Sequence, residues 1–141
     1  MPDLPQTSHI RLDRRGAVLY LWLNRPDTRN ALTPQMVREI TATFAAIADD
    51  LSVRVVVLRG SGGSFCAGGD IKSMAVAQEA PAPGAADELK EGNRRFGAML
   101  EAINGAPQVV IAAIEALRWV EASAWHASPT SRSRLSTRAS P

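Results

Sequence analysis

Four stretches of the chain carry aliphatic and β-branched side chains in short runs, and two carry them at helical spacing. Residues 10–13 and 17–23 predict strands separated by the turn-forming "RRG". In the second, Val18, Tyr20 and Trp22 share one face, and Leu19, Leu21 and Leu23 share the other. Two apolar faces imply a strand covered on both sides. "VRVVVLRG" predicts a third strand, with Val53, Val55 and Val57 on one face and Val56 and Leu58 on the other. "QVVIAAIE" predicts a fourth, also buried.

Met36, Val37, Ile40, Phe44 and Ile47 recur at spacings of three and four, which predicts an amphipathic helix ending near Asp49-Asp50. Thr33-Pro34 reads as its N-cap and first helical position. Phe96, Met99, Leu100 and Ile103 predict a later helix, stopped by Asn104-Gly105 and Pro107. "NRPDTRNAL" reads as a loop, and "AVAQEAPAPGAADE" as a mobile one. Alternation of strand and helix predicts an α/β fold with a largely parallel sheet.

At 141 residues the chain is long enough for one domain with a real core. No apolar run approaches the roughly 18 residues of a membrane span. The first ten residues lack the basic start and apolar stretch of a signal peptide, so the expected location is cytoplasmic, away from membranes. Cys66 is the single cysteine, and His9 and His126 lie far apart, which argues against a metal centre. The net charge of +2 is unevenly placed. Residues 1–115 hold 12 basic and 13 acidic side chains, whereas 116–141 hold four and one. The body is near neutral, and nucleic acid is not its expected partner.

"RGSGGSFCAGGDIKSM" puts four glycines between the third strand and a helix expected to start near Ile71. Backbone N–H groups at such a turn suit an anionic oxygen, a phosphate or an enolate. No Gly-Lys-Ser/Thr follows, so this is not a P-loop, and the Rossmann spacing is absent. Cys66 reads as a small buried thiol rather than a nucleophile, since no histidine lies near it in sequence. Asp70 is open to two readings, a general base or an acid complementing the first helical turn. By themselves Gly68 and Gly69 fit a bare strand-to-helix connection equally well.

"LNRPDTRNALTPQM", "VVVLRGSGGSFCAGGDIKSM" and "PQVVIAAIE", in this order and spacing, resemble the first half of a crotonase (enoyl-CoA hydratase/isomerase) domain, over about Leu12 to Glu115. The resemblance implies a partial, truncated ββα spiral, and enolate stabilisation on an acyl-CoA thioester in fatty acid metabolism. Coenzyme A then enters as part of the substrate, with no separate cofactor. Residue by residue, the resemblance puts an oxyanion-hole donor at the Gly69 N–H and a carbonyl facing the adenine of coenzyme A at Ala67. Arg29 and Ala31 fall on the loop bordering its pantetheine and ribose-phosphate, and Asp70 and Ile71 beside the acyl thioester. Family members assemble as trimers or paired trimers.

After Glu115 the resemblance breaks. "ALRWVEASAWHASPTSRSRLSTRASP" has no glycine where the family has a second glycine-rich turn, source of the other oxyanion donor and often of a catalytic glutamate. Restoring one G after the Glu115 codon, with suitable synonymous codons, turns the tail into "GAAVGGGFGLACVSDVAIATEHARVA". Trp119-Val120 forces one glycine of that text, and Trp125-His126 forces an alanine. The expected organisation is therefore residues 1–115 as the N-terminal part of the domain and 116–141 as an aberrant, disordered tail produced by a frameshift. Without the second donor or a glutamate pair, the chain is expected to be inactive. The alternative is a non-catalytic adaptor whose Arg/Ser-rich tail binds RNA or an acidic partner. A third reading is a relic that folds only beside an intact paralogue.

Overall fold

A computed structural model describes residues 3–70 and 85–115. Strands β1 (Ile10–Arg15), β2 (Val18–Leu23), β3 (Val55–Gly60) and β4 (Val109–Ala112) form one sheet in that order. β1 runs antiparallel to β2, while β3 is parallel to both β2 and β4. Arg15 pairs with Val18 across a two-residue turn in which Gly16 takes a positive φ of 59°. The α/β architecture and the mainly parallel sheet agree with the expectation from the sequence.

Helix α1 (Pro34–Ile47) connects β2 to β3, and α2 (Ala85–Asn104) precedes β4. Thr33 caps α1 as expected: its hydroxyl accepts the Met36 N–H at 3.1 Å, and Pro34 opens the helix, where no N–H is needed. α1 ends at Ile47, slightly before the expected acidic pair. α2 begins at Ala85, so the end of the stretch expected to be loop is helical. The rest of that stretch, and the helix expected near Ile71, lie outside the described residues.

The core lies on one side of the sheet. Ile10, Leu19, Leu21, Leu23, Val56 and Leu58 meet Met36, Ile40, Phe44 and Ile47 of α1 and Met99 of α2. Burying each such side chain contributes about 1.5–3 kcal/mol. Val53 joins this core although its parity assigned it to the other face. It precedes β3, in a turn where its N–H reaches the Asp50 carbonyl at 3.1 Å, so strand alternation does not apply.

Two burial expectations need correction. Val18, Tyr20 and Trp22 are only half-buried, so β2 is fully covered on one face alone. The other face carries cations over its rings: Arg11 and Arg59 lie 4.8 and 4.5 Å from the Trp22 centroid. β4 is not a buried strand either, with Val109 55% and Ile111 36% exposed. It forms the end of the described sheet, and those two side chains point away from the helices.

Glu39 ties the segment before β1 to α1. Its carboxylate accepts the N–H groups of Ser8, His9 and Ile10 at 2.9, 2.9 and 3.0 Å, and the Ser8 hydroxyl at 2.8 Å. Burial pushes this carboxyl up, but the Gln35 amide and the Ser8 and His9 donors outweigh it and hold the group at about 2.

Candidate functional site

The glycine loop leaves β3 at Gly60 and folds back on itself at once. A Cβ on Gly60 would lie 1.9 Å from the Ser64 carbonyl oxygen, so only glycine fits there. Gly62, Gly63 and Gly68 take positive φ values of 73°, 79° and 96°, as their residue type allows, whereas Gly69 does not. Phe65 and Cys66 turn inward and join the core. The Cys66 thiol is a small buried group, as expected, and its sulfur receives the Gly68 N–H at 3.4 Å.

The loop after β2 buttresses it. Arg25 opens a short 3-10 turn, Pro26–Thr28, and Arg29 and Asn30 close it in left-handed backbone, with φ of 51° and 57°. Asn30 is fully buried. Its side-chain oxygen accepts the Arg25 N–H at 2.8 Å, and its amide donates to the Ser61 and Ser64 carbonyls at 2.9 and 2.7 Å. One side chain thus closes its own loop and holds the start of the glycine loop.

The far end of the glycine loop is held by Leu32. Its N–H donates to the Gly68 carbonyl at 2.7 Å, and its carbonyl accepts the Asp70 N–H at 3.0 Å. This is a single parallel bridge centred on Gly69. In such a bridge the central residue's own N–H and C=O are directed to the side opposite its partner, so the Gly69 N–H faces away from Leu32. The Arg25 guanidinium closes the arrangement, donating to the Asp70 carboxylate at 2.9 Å and to the Ala31 carbonyl at 3.4 Å.

The structure therefore brings five of the six expected site residues to one place. Arg29, exposed, and Ala31, buried, lie on the buttressing loop; Ala67, exposed, with half-buried Gly69 and buried Asp70, lies on the glycine loop beside it. Ile71 lies outside the described residues. The Asp70 carboxylate forms an ion pair with Arg25, and the helix whose first turn it is expected to complement lies outside the described residues. Arg25 and Asn30 were missed as site residues. Asn30 was legible only as a turn former, and no spacing rule links position 25 to position 70. Among the described residues no cluster of three or more His, Cys, Asp or Glu is arranged to hold a metal. None of their helices is long and apolar enough to cross a membrane.

Fold and site together define an α/β domain whose glycine loop is held against the loop after β2 by the Leu32–Gly69 bridge and the Arg25–Asp70 ion pair. Residues 13–117 match the enoyl-CoA hydratase/isomerase family, and the chain belongs to it. It is 34% identical over 103 residues to enoyl-CoA hydratase EchA19 of Mycobacterium tuberculosis, covering 67% of this chain and 38% of that protein. It is 32% identical over 96 residues to 3-hydroxyisobutyryl-CoA hydrolase 1 of Arabidopsis thaliana, covering 68% and 22%. Among solved structures, Pseudomonas aeruginosa AtuE superposes with a TM-score of 0.71 at 46% identity, over 77% of this chain and 40% of that one. An enoyl-CoA hydratase/isomerase from Marinobacter aquaeolei gives 0.69 and 45%, over 76% and 41%. The chain thus spans about two-fifths or less of the length of these relatives.

Proposed function

We propose that this chain binds an acyl-CoA thioester and that the Gly69 N–H donates to the thioester carbonyl oxygen. The observation that carries this is the parallel bridge to Leu32, which fixes the backbone on both sides of Gly69 and directs its N–H away from the buttressing loop. A donor fixed in this way stabilises charge as it develops on oxygen, and one such donor is typically worth about 2.7–4 kcal/mol in a transition state. Arg29, Ala31 and Ala67 border the coenzyme A moiety in this reading, and Asp70 and Ile71 border the acyl end. No separate cofactor takes part.

The named relatives include both a hydratase and a hydrolase. An enolate forms in hydration or isomerisation and a tetrahedral oxyanion in thioester hydrolysis. Both place negative charge on the same carbonyl oxygen, so one backbone donor serves either reaction. Residues 116–141 contain no glycine to supply the second donor that the family resemblance implies, so the 141-residue chain is proposed to bind thioester without efficient turnover. Calorimetric titration with crotonyl-CoA, paired with a hydration assay, tests both halves. Binding with background-level hydration is expected. Absence of binding overturns the proposal, and robust hydration overturns the claim of weak turnover.

A further inference from the structure

We propose that Arg25 and Asn30 are positioning residues for the Gly69 donor, together forming a lock that sets the aim of its N–H. This rests on the acyl-thioester reading and adds residues to which that reading gives no role. Asn30 holds the start of the glycine loop through the Ser61 and Ser64 carbonyls, and its oxygen holds the Arg25 backbone. Arg25 carries the connection across to the far end, where its side chain grips the carboxylate of the residue that follows Gly69.

The path is continuous: Ser61 and Ser64, Asn30, the Arg25 backbone, the Arg25 guanidinium, Asp70. It spans the loop from Ser61 to Asp70 through two side chains, neither of which is placed against the substrate. Arg25 and Asp70 are both largely shielded, with side chains 25% and 11% exposed, so solvent competes weakly for their hydrogen bond. The second guanidinium contact, to the Ala31 carbonyl, fixes the cation beside the Leu32 rung. Both contacts leave Nη1, whose two hydrogens are held in the guanidinium plane; an ammonium at the end of a lysine keeps the charge without that fixed direction.

The test uses the whole chain with Arg25→Gln, Arg25→Lys and Asn30→Ala, and two readouts. Amide hydrogen exchange at Gly69 and Asp70 reports the lock directly, with Leu19 and Val56 as core references that also show whether each variant folds. Isotope-edited infrared spectroscopy of bound crotonyl-CoA reports polarisation of its carbonyl, which a purely structural role would not alter in a folded variant. In Arg25→Gln and Asn30→Ala, exchange at Gly69 and Asp70 rises about tenfold or more, the factor a charge-assisted or doubly used hydrogen bond supplies. Exchange at Leu19 and Val56 changes only by the factor that each variant's loss of global stability supplies, and the carbonyl stretch returns towards its free value. Arg25→Lys recovers part of both effects, and it stands in should Arg25→Gln fail to fold. Unchanged exchange at 69 and 70 in folded variants overturns the lock, whatever the ligand does. A wild-type chain that leaves the carbonyl stretch unmoved overturns the acyl-thioester reading instead, and with it the catalytic meaning of the lock.

Discussion

Replacing Glu39 by Gln isolates the clamp between α1 and the segment before β1. One carboxylate oxygen accepts from the Ser8 N–H, the Ser8 hydroxyl and the Gln35 amide, and the other from the His9 and Ile10 N–H groups. A glutamine must turn an NH2 group towards one of these sets, leaving at least two donors without an acceptor. The folded-state value of about 2 lies below the ordinary 4.5, so the carboxylate stabilises the fold fully above pH 4.5. As pH falls through this window the unfolded chain takes up the proton first, and the contribution is lost by about pH 2. That gap corresponds to about 3 kcal/mol, in line with losing two hydrogen bonds to a charged group. Urea unfolding of wild type and Glu39→Gln, followed by far-UV circular dichroism, should separate them by about 3 kcal/mol near pH 7 and by progressively less towards pH 3. Glu91, also held at about 2 by Arg94 and Arg95, is common to both proteins and cancels in the difference. A difference that stays constant with pH, or stays under about 1 kcal/mol near neutrality, would refute the reasoning.

Asn30→Ala strands the half-buried Ser61 and Ser64 carbonyls and the Arg25 N–H, and should destabilise the chain by about 2–4 kcal/mol in the same unfolding assay. Thr33→Ala removes the α1 cap and should cost about 1 kcal/mol, while Thr33→Ser should restore most of it. Gly60→Ala sets a methyl group against the Ser64 carbonyl and should be among the most damaging single changes, lowering the thermal midpoint more than Thr33→Ala does. Cys66, 8% exposed, should react with a thiol reagent only slowly until denaturant opens the core.

Much of the fold was legible because the dominant signals are local. Alternation in "VLYLWL", the 3–4 spacing from Met36 to Ile47 and Thr33-Pro34 each fix an element within a few residues. The miscalled burial of β2 and β4 has one cause: apolar parity shows that a face can be covered, not whether anything covers it. Trp22 and Tyr20 meet that demand with arginines, which composition alone does not reveal. The site divides in the same way. Glycines at Gly62, Gly63 and Gly68 advertise their backbone requirement, and the family resemblance located Gly69 beside them. The partnership of Arg25 with Asp70 and the grip of Asn30 on Ser61 and Ser64 join positions 31 to 45 apart, visible only once the chain is folded.

The central claim, that the Gly69 N–H donates to the carbonyl oxygen of an acyl-CoA thioester, is tested most directly by following that amide. Titration of isotope-labelled chain with crotonyl-CoA, monitored by proton–nitrogen correlation spectra, should move the Gly69 amide proton downfield by more than any amide of β1 or β2, with Ala67 shifting in step. Saturable binding that leaves Gly69 unmoved while shifts gather elsewhere would contradict the claim.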